Sequence, residues 1–337
     1  MVKNGGIIMN IQAFVDYKNK VVENCSKVIL GKEKVIELIL TTFICSGHVL
    51  LEDLPGTGKT MLLRAFAKTI GGNFNRIQFT PDLLPADLTG INFYNKATGQ
   101  FEFRRGPLFA NIVLVDEINR ATPRTQSSLL EVMEERQITV DGVTNRLEEP
   151  FMVMATQNPI ESYGTFPLPE AQVDRFFMRL SMGYMSREQE TEVIARPSTV
   201  AIIDSLECVA TPEETAYVRS QFCNVEVCDD VKNYIMDIVQ ATRENKKLLA
   251  GVSTRGGIAL YKTAQVTAAM NGRDFVIPED VKFVAPHIIG HRISTSGYLN
   301  MEDAKKRVDE IIDSIPVPVE ESNAYIHNCF VCSCGNT

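Results

Sequence analysis

The chain has 337 residues, of which 45% are hydrophobic and 23% are charged, and its net charge is −8. This length suits two domains that each bury a core, while the acidic balance argues against a broad nucleic-acid-binding surface. The 8 cysteines lack the density of a secreted disulfide scaffold. The N-terminal apolar stretch is too short for a signal peptide, and polar residues interrupt the most apolar segment, 35–51. We therefore expect a cytoplasmic protein without a membrane span.

Two helices and a strand are predicted before the first functional motif. Residues 1–10 form a disordered lead-in, in which Met9 could be a second start. Apolar residues at helical spacing predict a helix over 11–28. A second helix follows Gly31 and runs to about Cys45, and an apolar strand covers 48–51.

The stretch from Leu50 to Thr60, LLEDLPGTGKT, carries the strongest functional signal. It joins a strand to a helix through a Pro/Gly turn, which lets backbone N–H groups surround phosphates at a helix N-terminus. Lys59 is then expected to reach the β- and γ-phosphates, and the Thr60 hydroxyl to hold Mg²⁺. Asp53 stands where the standard motif has its first glycine. Taken alone, the stretch could also be an ordinary strand–turn–helix corner.

Buried strands alternate with helices in the segment that follows. The apolar run 111–115 is typical of a strand that is buried on both faces of a parallel sheet. Such units predict a doubly wound, mostly parallel α/β sheet with ligands at the carboxyl ends of its strands. The predicted elements are a helix 59–70, a strand 76–80, a loop 81–89, a hairpin-like excursion 91–105, a strand 111–115, a helix 122–136, a hairpin 138–147, and strands 151–156 and 175–182.

An acidic pair, Asp116 and Glu117, stands at the carboxyl end of the 111–115 strand, and Asn158 follows the next one. Asp116 is expected to complete a Mg²⁺ site with Thr60, because Mg²⁺ prefers oxygen ligands. Glu117 would then orient or deprotonate an attacking water. Acidic pairs are more often solvated strand ends or helix N-caps. The four preceding apolar residues and the phosphate loop favour the functional interpretation here.

From about Tyr184 onward helical patterns dominate, and they predict helices over 188–194, 212–222, 229–249, 256–270, 278–287 and 301–312. We predict a core domain over 11–184 and a separate, small all-helical domain over 185–317. His287 and His291 are assigned to packing within the helical domain.

The tail, 318–337, is polar and lacks periodicity. It contains Cys329, Cys332 and Cys334 close to His327. Metal binding needs about four well-placed ligands, so we interpret these cysteines as incidental thiols.

Several segments together resemble the MoxR family of AAA+ ATPases. In the core they are LLEDLPGTGKT, ANIVLVDEINRATPRTQSSLLEVMEERQITVDG, FMVMATQNPIE and FPLPEAQVDRF. In the helical region they are GVSTRGGIALYKTAQVTAAMNGRDFVIPEDV and IIGHRI. The resemblance covers roughly residues 20–317. It implies a P-loop AAA+ core with a five-stranded sheet, followed by a helical lid, and it implies ATP with Mg²⁺ as the ligands.

The resemblance also implies roles for particular residues. Asn158 resembles the sensor-1 residue that positions the attacking water. Arg175 resembles the arginine finger that acts on the ATP of a neighbouring subunit, and Arg255 resembles the sensor-2 residue of the lid. From the residues alone, a local ion pair of Arg175 with Asp174 and a helix cap by Arg255 are the favoured interpretations. The order of the motifs favours the functional roles instead. The predicted nucleotide-binding residues are Val28, Ile29, Gly31, Pro55, Gly56, Thr57, Gly58, Lys59, Thr60, Met61 and Asp116.

A ring-forming ATPase that remodels or matures a partner protein is the function that the resemblance implies. It implies a hexamer, with ATP at the junction of core and lid, and a client that often carries a von Willebrand factor A domain. Two other classes stay open: a nucleic-acid-remodelling AAA+ motor, which DNA-stimulated hydrolysis would indicate, and a nucleotide-gated switch with little turnover. The preference for ATP over GTP rests on the resemblance alone.

Overall fold

A computed structural model describes residues 9–52, 56–157, 164–196, 199–295 and 300–318. Its strands are β1 (Val49–Glu52), β2 (Phe74–Gln78), β3 (Gly90–Asn95), β4 (Gln100–Arg105), β5 (Ile112–Asp116), β6 (Gln137–Val140), β7 (Val143–Arg146), β8 (Met152–Gln157) and β9 (Met178–Leu180). Its α-helices are α1 (Ile11–Ser26), α2 (Glu33–Ile44), α3 (Lys59–Thr69), α4 (Pro85–Thr89), α5 (Pro123–Glu135), α6 (Glu170–Val173), α7 (Arg187–Ala195), α8 (Thr199–Ser205), α9 (Pro212–Gln221), α10 (Asp229–Glu244), α11 (Thr254–Met270), α12 (Pro278–Ile289) and α13 (Met301–Asp313). Short 3₁₀ helices cover Ile118–Arg120 and Phe222–Asn224.

The central sheet has five strands in the order β2-β5-β8-β1-β9, and every neighbouring pair is parallel. This confirms the predicted doubly wound, five-stranded α/β sheet. Because the strands are parallel, all their carboxyl ends meet at one edge, which we call the carboxyl edge, and all their amino ends meet at the opposite amino edge. Ligands of such sheets bind outside the carboxyl edge.

Alternate residues of the sheet enter two different hydrophobic clusters. Leu51 of β1 and Leu114 of β5 join the larger cluster, together with residues of α1, α2 and α3. Leu50 and Val113, their neighbours along the chain, join the smaller cluster with residues of α5. This alternation follows from the two-residue period of a strand. It explains why these strands are continuous apolar runs.

The larger cluster also contains residues of α10, α11 and α12, and it therefore crosses the predicted boundary between residues 184 and 185. Helix α11 packs against α1 and α2, while α12 packs against β9. The domain boundary itself stays a prediction.

The two predicted hairpins form as the antiparallel pairs β3–β4 and β6–β7. Other expectations were wrong in detail. The segment 81–89, predicted as a loop, contains α4, where the Asp87 carboxylate accepts a bond from the Leu84 N–H at 2.9 Å. Helix α8 was not predicted, and α10 ends at Glu244 rather than at 249. The last strand begins at Met178, so Arg175 precedes it in the turn after α6, where its N–H bonds Gln172 O.

No helix within the described ranges is both long and apolar enough to span a bilayer.

His48, buried directly before β1, ties three elements together. Its Nε2–H donates to the carbonyl of Met133 on α5 at 2.9 Å, and its Nδ1 accepts from the N–H of Val153 on β8 at 2.9 Å. Both bonds need the neutral ring, and burial lowers the pKa of His48 to about 4. Burial also lowers the pKa of His287 to about 4 and that of His291 well below 6.5. Both histidines lie on the packed face where α12 meets β9, as expected.

We therefore expect acid to destabilise the fold below pH 6.5. Unfolded His48 takes up a proton near pH 6.5, whereas folded His48 stays neutral down to about pH 4. The unfolded state then binds more protons, so stability falls as the pH falls through this window. Between pH 7 and pH 5 this group accounts for about 2 kcal/mol of the loss.

The measurement is urea unfolding of wild type and His48→Gln at both pH values. The variant should be less stable at pH 7 but should lose about 2 kcal/mol less on acidification. His287 and His291 titrate in both proteins, so the difference isolates His48. Equal losses in the two proteins would show that His48 does not contribute.

Candidate functional site

The turn between β1 and α3 has the backbone of a phosphate loop. Gly56 and Gly58 have φ angles of 84° and 86°, in the left-handed region that favours glycine. Gly58 precedes the first residue of α3, Lys59, so the first N–H groups of the helix face the turn. Asp53 and Pro55 lie outside the described residues.

A cavity of about 360 Å³ opens at the carboxyl edge beside this turn. Every described residue that lines it belongs to the phosphate turn, the start of α3, or the ends of β2, β5 and β8. These residues are Gly56, Gly58, Lys59, Thr60, Met61, Arg76, Gln78, Asp116, Glu117, Thr156 and Gln157. The cavity thus brings the predicted residues of the loop next to the predicted acidic pair.

Asp116, the last residue of β5, faces the cavity between two donors. Its Oδ2 pairs with Arg76 Nε at 2.6 Å, and its Oδ1 accepts a bond from the Thr156 hydroxyl at 3.2 Å. The carboxylate is nearly buried, with 11% of the side chain exposed, while half of the Arg76 side chain is exposed. Asp116 is thus held rigidly by Thr156, while Arg76 is free enough to give way to another cation.

Glu117 follows in a left-handed conformation, with φ 57° and ψ 54°. Its N–H donates to the Thr156 hydroxyl at 2.9 Å, which fixes the turn after β5. Its Oε2 accepts a bond from Gln78 at 2.8 Å and pairs with Arg120 at 2.9 Å. Non-glycine residues adopt this conformation infrequently. Here it turns the carboxylate of Glu117 toward the cavity instead of along the strand.

The donor set of the cavity fits a magnesium-bound nucleotide. Thr60 and Asp116 offer the oxygen ligands that Mg²⁺ prefers. Lys59, Arg76 and the N-terminus of α3 supply positive charge for phosphates. Within the described ranges there is no cluster of three or more His, Cys, Asp or Glu side chains that could hold another metal. The cysteines and His327 of the tail lie outside those ranges.

The predicted adenine-side residues do not line this cavity in the described part of the chain. Ile29 lies close to the loop, with its Cδ1 3.6 Å from where a Cβ on Gly58 would be. Val28 is buried beside it. Gly31 has φ 65° and lies against Gln189 of α7. Asn158 lies outside the described residues, so its role stays a prediction.

The two predicted functional arginines lie together, away from the cavity. Arg175 Nε approaches one carboxylate oxygen of Glu134 at 3.4 Å, and Arg255 Nη2 bonds the other at 2.5 Å. Arg255 also approaches Asp174 at 3.6 Å. Arg175 precedes β9, whose Met178 pairs with the first residue of β1. The cluster therefore lies at the amino edge. Within the described part of the chain Arg255 thus does not line the cavity beside the phosphate turn, and the placement of ATP at the junction of core and lid stays a prediction.

Buried Arg292 supports this cluster from the end of α12. Its Nε donates to Asp174 Oδ1 at 2.7 Å, and Nη2 donates to the carbonyl of Phe176 at 2.7 Å. Burial lowers the pKa of Arg292, although the Asp174 carboxylate opposes this. Asp174 therefore pairs with Arg292 and Arg255, not with the adjacent Arg175.

Sequence reasoning missed Arg76, Gln78 and Thr156. Arg76 and Gln78 alternate with buried Ile77 along β2, so a polar face was visible in the sequence. What the sequence did not provide is that β2 pairs directly with β5, with Gln78 beside Asp116. Glu134 and Arg292 lie within the segments that resemble the MoxR family, but the resemblance assigned neither residue a role in the site.

Comparisons with known proteins agree with this architecture. Residues 48–178 match the ATPase family associated with various cellular activities (AAA), and residues 240–315 match the AAA lid domain. Chaperone MoxR1 of Mycobacterium tuberculosis is 40% identical over 281 residues, which cover 79% of this chain and 73% of that protein. Protein MoxR of Paracoccus denitrificans is 31% identical, with 86% and 93% coverage. The chain belongs to the MoxR family of AAA+ ATPases.

Two further relatives extend the match along almost the whole chain. The uncharacterised protein YeaC of Bacillus subtilis is 49% identical over 305 residues, 90% of this chain and 95% of that protein. The crystal structure of a proposed ATPase from Cytophaga hutchinsonii is 38% identical, with a TM-score of 0.84, and covers 91% of this chain and 98% of its own. The MoxR fold therefore includes the helices that follow the sheet.

Lys59→Met should weaken binding of a fluorescent ATP analogue to this MoxR-family protein in Mg²⁺ buffer by about 10- to 100-fold. The reason is that a charge-assisted hydrogen bond contributes about 1.5–3 kcal/mol. Titration monitored by fluorescence anisotropy measures the change.

Lys68→Met is the matched control on the same helix. Lys68 lies in the last turn of α3 and donates to the carbonyls of Ile203 and Asp204 at 3.0 and 2.5 Å. The Lys68→Met variant should bind the ATP analogue as tightly as wild type does. Equal weakening in both variants would mean that the effect comes from disturbing α3 and not from the cavity.

Proposed function

We propose that this protein hydrolyses ATP with Mg²⁺ in a ring and uses the cycle to remodel or mature a partner protein. The observation that carries the proposal is the division of the site between two edges of one sheet. Lys59, Thr60, Asp116 and Glu117 share one cavity at the carboxyl edge. Arg175 and Arg255 share Glu134 at the amino edge.

The residues of the carboxyl edge bind and orient the nucleotide in this proposal. Backbone N–H groups of the phosphate turn and the Lys59 ammonium hold the phosphates. Thr60 and Asp116 hold Mg²⁺, which neutralises charge on the β- and γ-phosphate oxygens when bound. Asp116 must exchange its pair with Arg76 for this role, and Arg76 then becomes available to the phosphates.

Glu117 is the proposed base. Its carboxylate accepts a proton from a water whose oxygen attacks the γ-phosphorus. The bond between the γ-phosphorus and the bridging oxygen breaks, and ADP and inorganic phosphate leave. In the present conformation Gln78 and Arg120 both contact Glu117 Oε2. One of its two carboxylate oxygens is thus bonded within the subunit.

In this proposal Arg175 serves the cavity of a neighbouring subunit, because the sheet lies between Arg175 and the cavity of its own subunit. The strand β1 alone, with 4 residues, places its two ends about 10 Å apart, and Arg175 lies beyond the amino end. A head-to-tail ring brings the amino edge of one subunit to the carboxyl edge of the next. Arg175 and Arg255 then both act on the neighbour's ATP. We expect the ring to be a hexamer and the protein to be cytoplasmic.

A protein client is proposed from two observations. One relative is named a chaperone, MoxR1. The β3–β4 hairpin exposes large apolar side chains, among them Phe101 (75% exposed) and Tyr94 (54%), and exposed apolar patches mark interaction sites. A partner with a von Willebrand factor A domain is the first client class to test, although no residue of the chain identifies it.

The first test measures ATPase rate against protein concentration, with particle mass determined in parallel, for wild type, Glu117→Gln and Arg175→Ala. The wild-type rate per subunit should rise as a ring assembles. Both variants should assemble and bind nucleotide. The ATPase rate of Glu117→Gln should be about 10²–10⁴-fold lower because the base is removed. The rate of Arg175→Ala should be about 10³–10⁵-fold lower because the arginine finger is removed. If wild type stays monomeric and Arg175→Ala still hydrolyses ATP, the proposal that Arg175 acts on the ATP of a neighbouring subunit would be contradicted.

Glu134→Gln should promote the assembled, active state. Within one subunit Glu134 neutralises Arg175 and Arg255, and both pairs must break before these arginines contact a neighbour's phosphates. Exposed ion pairs are worth about 0.2–1 kcal/mol each. The two pairs together are worth about 0.4–2 kcal/mol, so the protein concentration for half-maximal ATPase should fall by about 2- to 30-fold. The gain should shrink at high salt.

The matched control is Glu131→Gln, an exposed glutamate on the same helix. It should leave the concentration dependence unchanged. If Glu134→Gln instead requires more protein for activity, Glu134 contributes directly to the interface.

A further inference from the structure

We infer that Arg292, the arginine of the GHR segment after α12, is the residue that positions Arg175 for the neighbouring subunit's ATP. The inference rests on the proposed function and adds to it a residue that touches neither ATP nor water. Arg292 lies in the lid sequence, whereas Arg175 precedes β9. The bonds from Arg292 to the neighbours of Arg175 therefore also join the lid sequence to the segment that carries Arg175.

The guanidinium of Arg292 holds the backbone on both sides of Arg175. On the preceding side, Nε donates to Asp174 Oδ1 at 2.7 Å and Nη2 to Asp174 O at 3.2 Å. On the following side, Nη2 donates to Phe176 O at 2.7 Å and Nη1 to Phe177 O at 3.2 Å. Arg175 is therefore held at three neighbouring residues, while its own side chain stays one-third exposed.

The same group is anchored in the lid. Arg292 Nη1 donates to Ile288 O in the last turn of α12 at 2.6 Å. Only 2% of its side chain is exposed. A buried guanidinium with this many acceptors has one available position. A shift of α12 must therefore move the 174–177 backbone, and Arg175 with it.

Asp174 connects Arg292 to Arg255 as well as to the backbone beside Arg175. Its carboxylate accepts from the Ser253 hydroxyl at 3.1 Å and lies 3.6 Å from Arg255 Nη1. Ser253 is the N-cap of α11 and Arg255 is in its first turn. Arg292 and Asp174 thus set the relative placement of both arginines that the proposed function directs at the neighbouring subunit.

The test begins with Arg292→Gln and Asp174→Asn in the full chain. Each should assemble and bind a fluorescent ATP analogue with wild-type affinity, because the carboxyl edge is untouched. Each should lose about 10²-fold in kcat, since a displacement of about 1 Å of a catalytic group has that effect. Wild-type kcat in both variants, with assembly intact, would overturn the inference.

Mixed rings distinguish positioning from general damage. A subunit with Arg292→Gln has an intact cavity, but its Arg175 is no longer correctly positioned. A subunit with Glu117→Gln has a correctly positioned Arg175 but lacks the base. Equal mixing should restore ATPase to about one quarter of the wild-type rate, because half of the cavities and half of the neighbouring fingers are intact in a head-to-tail ring. No recovery would overturn the inference, provided that the benchmark mixture below recovers.

The benchmark mixture is Arg175→Ala with Glu117→Gln, which depends on the proposed function alone. If the benchmark mixture regains ATPase activity and the Arg292→Gln mixture does not, the action of Arg175 on the neighbouring subunit is supported and the role of Arg292 is overturned. If neither recovers, the trans finger itself is wrong and the inference falls with it.

Arg273→Gln controls for loss of lid stability. Arg273 makes a bidentate pair with buried Asp280, at 2.6 and 2.7 Å, at the opposite end of α12. The Arg273→Gln substitution should lower the midpoint of thermal unfolding but leave the kcat of the assembled ring unchanged. If Arg273→Gln lowers kcat as much as Arg292→Gln does, lid stability and not positioning explains the loss, which would overturn the inference.

Discussion

The parallel direction of the five central strands is the constraint on which the rest of this structure depends. The three inner strands β1, β5 and β8 contain apolar runs buried between two hydrophobic clusters, and parallel neighbours align all carboxyl ends at one edge. The phosphate turn, Asp116 and Glu117 therefore converge although they are far apart in sequence. The segment before β9 is placed at the other edge for the same reason.

In the proposed function, this division leaves each subunit with only part of an ATPase site. Donors for phosphate and magnesium lie at the carboxyl edge, whereas the exposed cations Arg175 and Arg255 lie at the amino edge. Glu134 balances those cations within the subunit. Since exposed ion pairs contribute little, this balance is easily exchanged for contacts with another subunit. The geometry thus favours a protein whose activity depends on assembly.

Buried Arg292, which pairs with the partly exposed Asp174, is the costly element of the lid contact. Removing a charge from water is unfavourable, and a buried charge persists only when it is paired and its remaining donors are satisfied. Arg292 meets this condition through backbone carbonyls on both sides of Arg175. The resulting contact has a specific geometry, and in the inferred role of Arg292 it makes the lid and the 174–177 segment move together.

The sequence by itself determined the fold class, the order of nearly all elements, and the segments that match the MoxR family, because hydrophobic period, glycine turns and local motifs are properties of neighbouring residues. It also indicated Lys59, Thr60, Asp116 and Glu117, since each follows a strand or opens a helix. Only the tertiary structure decided that Arg76 pairs with Asp116, that Gln78 meets Glu117, and that Arg255 lies beside Arg175. These contacts depend on strand order and on the docking of α12 against β9, which join residues distant in sequence. No local pattern encodes such pairs, because they form only when the whole hydrophobic core packs.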